Sequence, residues 1–262
     1  MSKLTLALVQ MRVGKDKADN LARAAVFVKE ASENGAQLVI LPEMFQTPYE
    51  TSLFPLYAEE RGGMSYQALS AMARENAITL VGGSIAELED GRVYNTSFVF
   101  NPKGKEIARH RKVHLFDIDI PGGQYFKESD TLTAGEDMTF FETDFGRIGL
   151  GICFDVRFSA FAHKMAKAGA RVLVYPAAFN PTTGPKHWEL LFRSRANDNQ
   201  VYTVGVSSLP SEKEGYQAYG HSLVVNPWGE VILEMDTDEG IGYATLESDL
   251  IDEVRGAIPL GQ

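Results

Sequence analysis

Short apolar runs closed by glycine or proline alternate along this chain with longer stretches in which apolar residues recur at every third or fourth position. Leu6-Ala-Leu-Val-Gln-Met11, Leu38-Val-Ile-Leu41 and Ile148-Gly-Leu-Gly-Ile-Cys153 have the near-continuous apolar character of strands covered on both faces. Between them, Asp19 to Asn34 carries Leu21, Ala24, Ala25, Val28 and Ala31 on one helical face, and Gly35 is a natural stop. The same periodicity predicts helices near Ser65 to Asn76, Ser159 to Ala168, Pro185 to Asp198 and Asp249 to Val254. Asp117-Ile-Asp119 reads as a turn.

The pattern occurs twice. Gly35-Ala-Gln-Leu-Val-Ile-Leu-Pro-Glu-Met-Phe45 matches Gly169-Ala-Arg-Val-Leu-Val-Tyr-Pro-Ala-Ala-Phe179 position for position. Asn76-Ala-Ile-Thr-Leu-Val-Gly82 echoes Asn199-Gln-Val-Tyr-Thr-Val-Gly205, Asn101-Pro-Lys-Gly104 echoes Asn226-Pro-Trp-Gly229, and Leu6 to Met11 echoes Ile148 to Cys153. Four pairs in one order point to internal duplication, and two copies are too few for a solenoid. Each half reads strand, helix, strand, helix, strand and a hairpin strand, with Asn-Pro-x-Gly as the hairpin turn. Helices between strands imply mainly parallel sheets covered by helices. The expectation is an α/β sandwich in which each half contributes one sheet, as a single domain over residues 1–262. No low-complexity or linker segment interrupts it.

Composition narrows the function. The 262 residues are 44% hydrophobic and 23% charged, ordinary for a globular protein that needs no staple. With 25 Lys+Arg against 35 Asp+Glu the net charge is −10, so nucleic acid and anionic membranes are poor partners. No apolar stretch approaches the roughly 20 residues that span a bilayer. The N-terminus reads as a first strand and not as a signal peptide, and one unpaired cysteine fits a cytoplasmic location. Gly149-Leu-Gly151 is followed by Phe154 where a dinucleotide fingerprint needs a small residue. His110 and His114 lie in a strand-like run whose spacing does not bring them onto one metal, so neither metal nor cofactor is expected.

Candidate chemistry sits at strand ends. Cys153 is either a nucleophile presented where a strand gives way to a turn, or a plain buried thiol. Glu43 is delivered directly after an apolar strand, where its counterpart in the repeat is Ala177; it is either a site acid or a surface loop glutamate. Lys112 closes the run Glu106 to Lys112, and its side chain could point outward or into a site. An amide hydrolase needs a nucleophile, a proton carrier and a group to receive the oxyanion, and cysteine, glutamate and lysine can fill those roles.

Leu41-Pro-Glu-Met-Phe45, Arg111-Lys-Val-His-Leu-Phe-Asp117 and Gly151-Ile-Cys-Phe-Asp-Val-Arg-Phe158 resemble, in order, the three catalytic motifs of the nitrilase superfamily of carbon–nitrogen hydrolases. Thr183 to Leu191, Arg193 to Tyr202 and Tyr219 to Gly229 are similar to its Nit branch. Within that branch, Phe179-Asn-Pro-Thr-Thr-Gly184 and Asp198-Asn-Gln-Val-Tyr202 resemble the ω-amidases more than the deaminated-glutathione amidases. The resemblance implies a four-layer αββα fold assembled into homodimers or larger homo-oligomers. It implies that Glu43 is the base, Cys153 the nucleophile that passes through a thioester, and that Lys112 and the backbone N–H of Phe154 receive the oxyanion. Lys112 beside Cys153, with the backbone N–H groups of the following turn, is expected to favour the thiolate, and Lys112→Ala to nearly abolish turnover while leaving the fold largely intact.

By the same resemblance Glu128 stands beside the lysine and the reacting water, and Arg157 holds the far carboxylate of an ω-amido acid. Phe116 and Phe179 would wall the pocket and Tyr49 would stand at its entrance. The substrate implied is a short dicarboxylic acid monoamide such as α-ketoglutaramate or α-ketosuccinamate. Deaminated glutathione, an N-carbamoyl compound, or a non-catalytic binding role on the same fold are the alternatives. Family members commonly continue into a basic, tyrosine-containing tail where this chain stops at Gly261-Gln262, so a subunit contact that uses the tail is expected to be weaker or differently built.

Overall fold

The computed structural model describes residues 2–119, 125–210 and 215–260; the stop at Gly261-Gln262 lies outside them. Its first sheet runs Gly240–Glu247, Lys3–Gln10, Leu38–Ile40, Thr79–Val81, Arg92–Phe100, Ile85–Glu89, Glu59–Glu60, with Glu106–Arg111 also paired to Arg92–Phe100. The second runs Thr139–Thr143, Gly146–Leu150, Val172–Ala177, Tyr202–Ser207, Leu223–Val225, Val231–Glu234. In each, three strands from matching segments pair in parallel. Each then closes with an antiparallel hairpin around Asn-Pro-x-Gly, whose glycines Gly104 and Gly229 take φ of 71° and 81°. The duplicated segments therefore occupy equivalent strands of two sheets.

Alternation along the strands builds the layers. Leu6, Leu8, Leu38 and Ile40 of the first sheet pack against Ile148, Leu150, Val172 and Val174 of the second in one shared core. On the opposite face of the first sheet, Ala7, Val9, Val39 and Leu41 meet Leu21, Ala24, Val28, Leu69 and Met72. Leu173, Tyr175 and Ala177 of the second meet Phe161, Met165, Trp188 and Phe192. The order is helix, sheet, sheet, helix. The covering helices are Lys17–Glu33, Met64–Glu75, Ser159–Lys167 and Gly184–Asn199, with Ser248–Ala257 at the end of the described chain. Asp16 caps the first by accepting from Ala18 N (2.8 Å) and Asp19 N (3.1 Å).

One local reading is corrected. Asp117–Asp119 is a short strand and not a turn, paired antiparallel with Tyr125–Lys127 so that Ile118 faces Phe126. Three residues of polar–apolar–polar pattern are too few to separate a strand from a turn, and the partner strand decided the outcome.

Candidate active site

Glu43 owes its place to an interrupted ladder. Pairing between Leu38–Ile40 and Thr79–Val81 stops at Ile40 opposite Val81. Beyond it Gly83, at φ +56°, lies so close that a Cβ there would come within 2.1 Å of the Pro42 carbonyl oxygen. Met44 takes φ +49°, and its N–H donates to Ser84 Oγ at 3.0 Å. The chain thus turns inward and buries Glu43. Its Oε1 accepts from Asn95 Nδ2 (2.8 Å) and Lys112 Nζ (2.8 Å), with the Tyr49 hydroxyl at 3.3 Å. Its Oε2 has no nitrogen or oxygen partner among the described residues, and the carboxylate lies close enough to the Cys153 thiol for each to act on the other's proton.

Lys112 follows the strand Glu106–Arg111 and is fully buried. Its backbone is held on both sides, Lys112 N donating to Asn95 O (2.9 Å) and Gly135 N to Lys112 O (2.8 Å). The ammonium sits between Glu43 Oε1 at 2.8 Å and Glu128 Oε2 at 2.9 Å. Glu128 is saturated, because Tyr49 donates to its Oε1 (2.6 Å) and the Phe116 N–H to its Oε2 (2.6 Å). Burial alone would lower the lysine pKa, but the carboxylates of Glu128 and Glu43 outweigh it, and the group is raised and stays an ammonium. Burial raises the Glu43 carboxyl, with Lys112 pulling against it and the Glu128 charge adding to it; the net direction is upward.

Cys153 stands where the strand Gly146–Leu150 has ended and the short 3-10 turn Cys153–Arg157 begins, at φ +46°. A non-glycine residue in that left-handed region costs on the order of 1 kcal/mol or more, so surrounding contacts must hold it. Asp155 supplies them. Its Oδ2 accepts from Ile152 N (2.9 Å) and His110 Nε2 (3.1 Å), and its Oδ1 from His114 N (2.9 Å) and His114 Nδ1 (2.7 Å). Burial would raise this carboxyl, but the hydrogen bonds from His110 and His114 hold it well below the usual carboxylate range. Arg195, itself buried, donates to the carbonyls of Val156 and Arg157, each at 2.9 Å, and pins the far end of the turn.

The sulfur lines a narrow cavity that it shares with Phe116, Phe154, Arg157, Phe179 and Asn180. Arg157 crosses this space with its guanidinium 5.0 Å from the Phe179 ring centre and 5.5 Å from that of Phe154. Its Nη1 donates to His187 Nδ1 at 3.1 Å. Glu43 and Tyr49 face a neighbouring open recess, and Tyr216 forms a wall common to both.

The chain as a whole has relatives. Residues 5–256 match the carbon-nitrogen hydrolase family. The chain belongs to that family. It is 51% identical to the omega-amidase NIT2 of Danio rerio and 49% identical to that of Homo sapiens, in each case over 99% of this chain and 94% of the relative. Saccharomyces cerevisiae Nit3, a member of branch 10 of the nitrilase superfamily, superimposes with a TM-score of 0.91 at 43% identity, covering 99% of this chain and 96% of that one. The carbon–nitrogen hydrolase is accordingly an amide-hydrolysing enzyme of nitrilase fold.

Within this carbon–nitrogen hydrolase the strand-end residues fall into two groups. Glu43, Lys112 and Glu128 form one hydrogen-bonded cluster, while Cys153, Phe116, Phe154, Arg157 and Phe179 surround the cavity. One expectation is extended and one corrected. Tyr49 faces the outer recess and also belongs to the charged cluster, its buried hydroxyl donating to Glu128. The thiolate is not favoured at rest: burial pushes the Cys153 thiol well up, the Glu43 charge pushes it further, and Lys112 offsets only part of this.

Asn95 and the set Asp155, His110 and His114 were not foreseen as parts of the site. Asn95-Thr96-Ser97, a polar triplet inside the otherwise apolar strand Arg92–Phe100, was the available signal. The two histidines do converge, on a carboxylate and not a metal, because the strand ends at Arg111 and the chain bends before His114. Among the described residues no cluster could hold a metal ion, and no helix is long and apolar enough to cross a membrane.

Proposed function

We propose that this enzyme is an ω-amidase, hydrolysing the terminal amide of short dicarboxylic acid monoamides of the α-ketoglutaramate and α-ketosuccinamate type to the acid and ammonia. The observation that carries the reading is the fully buried Lys112 ammonium held at 2.8 and 2.9 Å by two carboxylates, with the Cys153 thiol within their electrostatic reach. Relatives of about half identical sequence carry the name omega-amidase, which supports the same conclusion.

Cys153 Sγ attacks the amide carbon while Glu43 takes the thiol proton through its unpartnered Oε2. With burial and the Glu43 charge holding the thiol up, the base acts during the attack and not before it. The carbonyl oxygen becomes an oxyanion facing the Lys112 ammonium and the Phe154 N–H. One such donor is worth ~2.7–4 kcal/mol in the transition state. The carbon–nitrogen bond then breaks, Glu43 returns the proton to the departing nitrogen, and ammonia leaves a thioester on Cys153. Water attacks the thioester, Glu43 takes its proton and passes it to the leaving sulfur, and acid and thiol are regenerated. Glu128, with both oxygens occupied, holds the lysine. Arg157 binds the distal carboxylate through two parallel hydrogen bonds, and Phe116 and Phe179 exclude water beside it.

Ammonia release from succinamate and from deaminated glutathione by wild type and Cys153→Ala tests this. Succinamate should be the better substrate and the variant should fall to background. Equal rates with and without Cys153 would end the thioester mechanism, and preference for the peptide would end the ω-amidase assignment.

A further inference from the structure

Two buried donors in the Cys153 cavity have no acceptor. Asn180, just beyond the strand Val172–Ala177, is 3% exposed. Its Oδ1 accepts from Thr182 N (3.0 Å), Thr183 N (2.9 Å) and Thr183 Oγ1 (3.1 Å). Those three donors fix which end of the amide is oxygen, so the orientation of the NH2 end follows. Nδ2 has no hydrogen-bond partner among the described residues. The Tyr216 phenol gives its own proton to the Ala178 carbonyl and keeps its lone pairs toward the amide, whose N–H opposes the upward push of burial on the phenol, but this contact falls short of a fully formed hydrogen bond. Arg157 Nε is the second donor, equally buried and unpartnered.

Leaving buried donors unmade is costly, and two such donors beside a reactive thiol call for an acceptor, from a water or from a ligand. Arg157 spends Nη1 on His187, which leaves the Nε and Nη2 edge, whose two N–H groups match the two oxygens of a carboxylate. A ligand carboxylate held there has both oxygens engaged. Asn180 Nδ2 then calls for a further acceptor close by: among the described residues the side chains lining the cavity include no carboxylate, only the Tyr216 phenol oxygen and a Thr183 hydroxyl already engaged with Oδ1.

We propose that Asn180 is a specificity-determining residue, whose Nδ2 donates to an oxygen on the carbon next to the substrate's distal carboxylate, the 2-oxo oxygen of a 2-oxo acid monoamide. This rests on the amidase reading above and on the carboxylate role given there to Arg157. The same donor disfavours the corresponding 2-amino acids, glutamine and asparagine, whose ammonium offers no acceptor and would meet an N–H instead. Discrimination arises as much from that mismatch as from the bond made.

The experiment compares kcat/KM for α-ketoglutaramate, glutaramate and glutamine in wild type, Asn180→Ser and Asn180→Asp. Serine retains an oxygen able to accept from the Thr182–Thr183 turn and removes the NH2; aspartate retains Oδ1 and turns the donor into an acceptor. Wild type should rank the substrates in the order named. Asn180→Ser should reduce the ratio of the 2-oxo to the unsubstituted monoamide by about tenfold to a hundredfold. Asn180→Asp should do the same and also raise glutamine relative to α-ketoglutaramate. Ratios unmoved in both variants, whatever the absolute rates, overturn the role of Asn180. A wild type that hydrolyses none of the three overturns the amidase reading itself, and this inference with it.

Discussion

The strand ending at Ile40 and the strand ending at Ala177 come from matching segments of a duplicated chain, and they end differently. In the second half the parallel ladder runs through six pairs, from Val172 opposite Tyr202 to Ala177 opposite Ser207, and Pro176 lies inside it. In the first half it stops after three, at Ile40 opposite Val81, and Pro42 lies outside it. Gly83 stands where the repeat has Val206, and Met44, at φ +49°, where the repeat has Ala178. Three residues of lost pairing free the chain to turn an acid into the interior. The same frame thus yields a buried carboxylate in one half and a continuous strand in the other, while the second half supplies Cys153 one strand earlier. Duplication provided the scaffold, and the chemistry depends on where its two copies diverge.

The divergence is deepest in charge. Lys112, Glu43 and Glu128 are fully buried together, and the ammonium is the counterion of both acids. Lys112→Met should reduce turnover by ~10²–10³-fold through loss of an oxyanion donor. It should also destabilise the fold by about 3–5 kcal/mol, because two buried carboxylates lose their cation. Lys112→Ala, expected from the sequence to leave the fold largely intact, should on the same ground cost a comparable amount of stability. Urea midpoints and ammonia release check both effects, and adding Glu128→Gln should return part of the stability and none of the activity. A single variant as stable as wild type would contradict the buried cluster.

Gly83→Ala makes the first half resemble the second at the decisive position. The new Cβ would stand 2.1 Å from the Pro42 oxygen at φ +56°, so the backbone must move. Overpacking of this kind costs about 1–3 kcal/mol. Displacing Glu43 by even an ångström costs ~10²-fold in rate. Gly91→Ala is the control, with φ +72° but no atom within 4 Å of the added Cβ. It should lose about 1–2 kcal/mol from the left-handed backbone alone, at unchanged kcat/KM. Equal kinetics in the two variants would break the link between the interrupted ladder and the site.

The layers were legible because continuous apolar runs and helical periodicity alternate without ambiguity, and helices such as Met64–Glu75 and Ser159–Lys167 fall within a residue or two of their predicted ends. The residues at strand ends were legible as positions, and the motif resemblance supplied their roles. What stayed hidden depends on contacts between distant segments. Asn95 reaches Glu43 only because Arg92–Phe100 lies beside the site, and the raised Cys153 thiol reflects burial and a neighbouring carboxylate that no local pattern encodes. Asp117–Asp119 was misread because its partner, Tyr125–Lys127, decides its conformation.

The smallest effect expected lies at the bridge between the halves. Asp155 follows Cys153 by two residues, and His110 and His114 flank Lys112 by two on either side, so one carboxylate ties the segment bearing the sulfur to the segment bearing the amine. Asp155→Asn places an N–H where a donor is already waiting, and should cost about 1–3 kcal/mol at neutral pH. The folded-state pKa of Asp155 is depressed, so its stabilisation is complete above the unfolded aspartate value of ~3.9 and fades as pH falls through that value toward the folded one. Urea midpoints of wild type and variant should therefore lie apart at pH 7 and draw together below about pH 4. A gap that stays constant with pH would mean that the charge of Asp155 is not what joins the two halves, and that the bridge holds by shape alone.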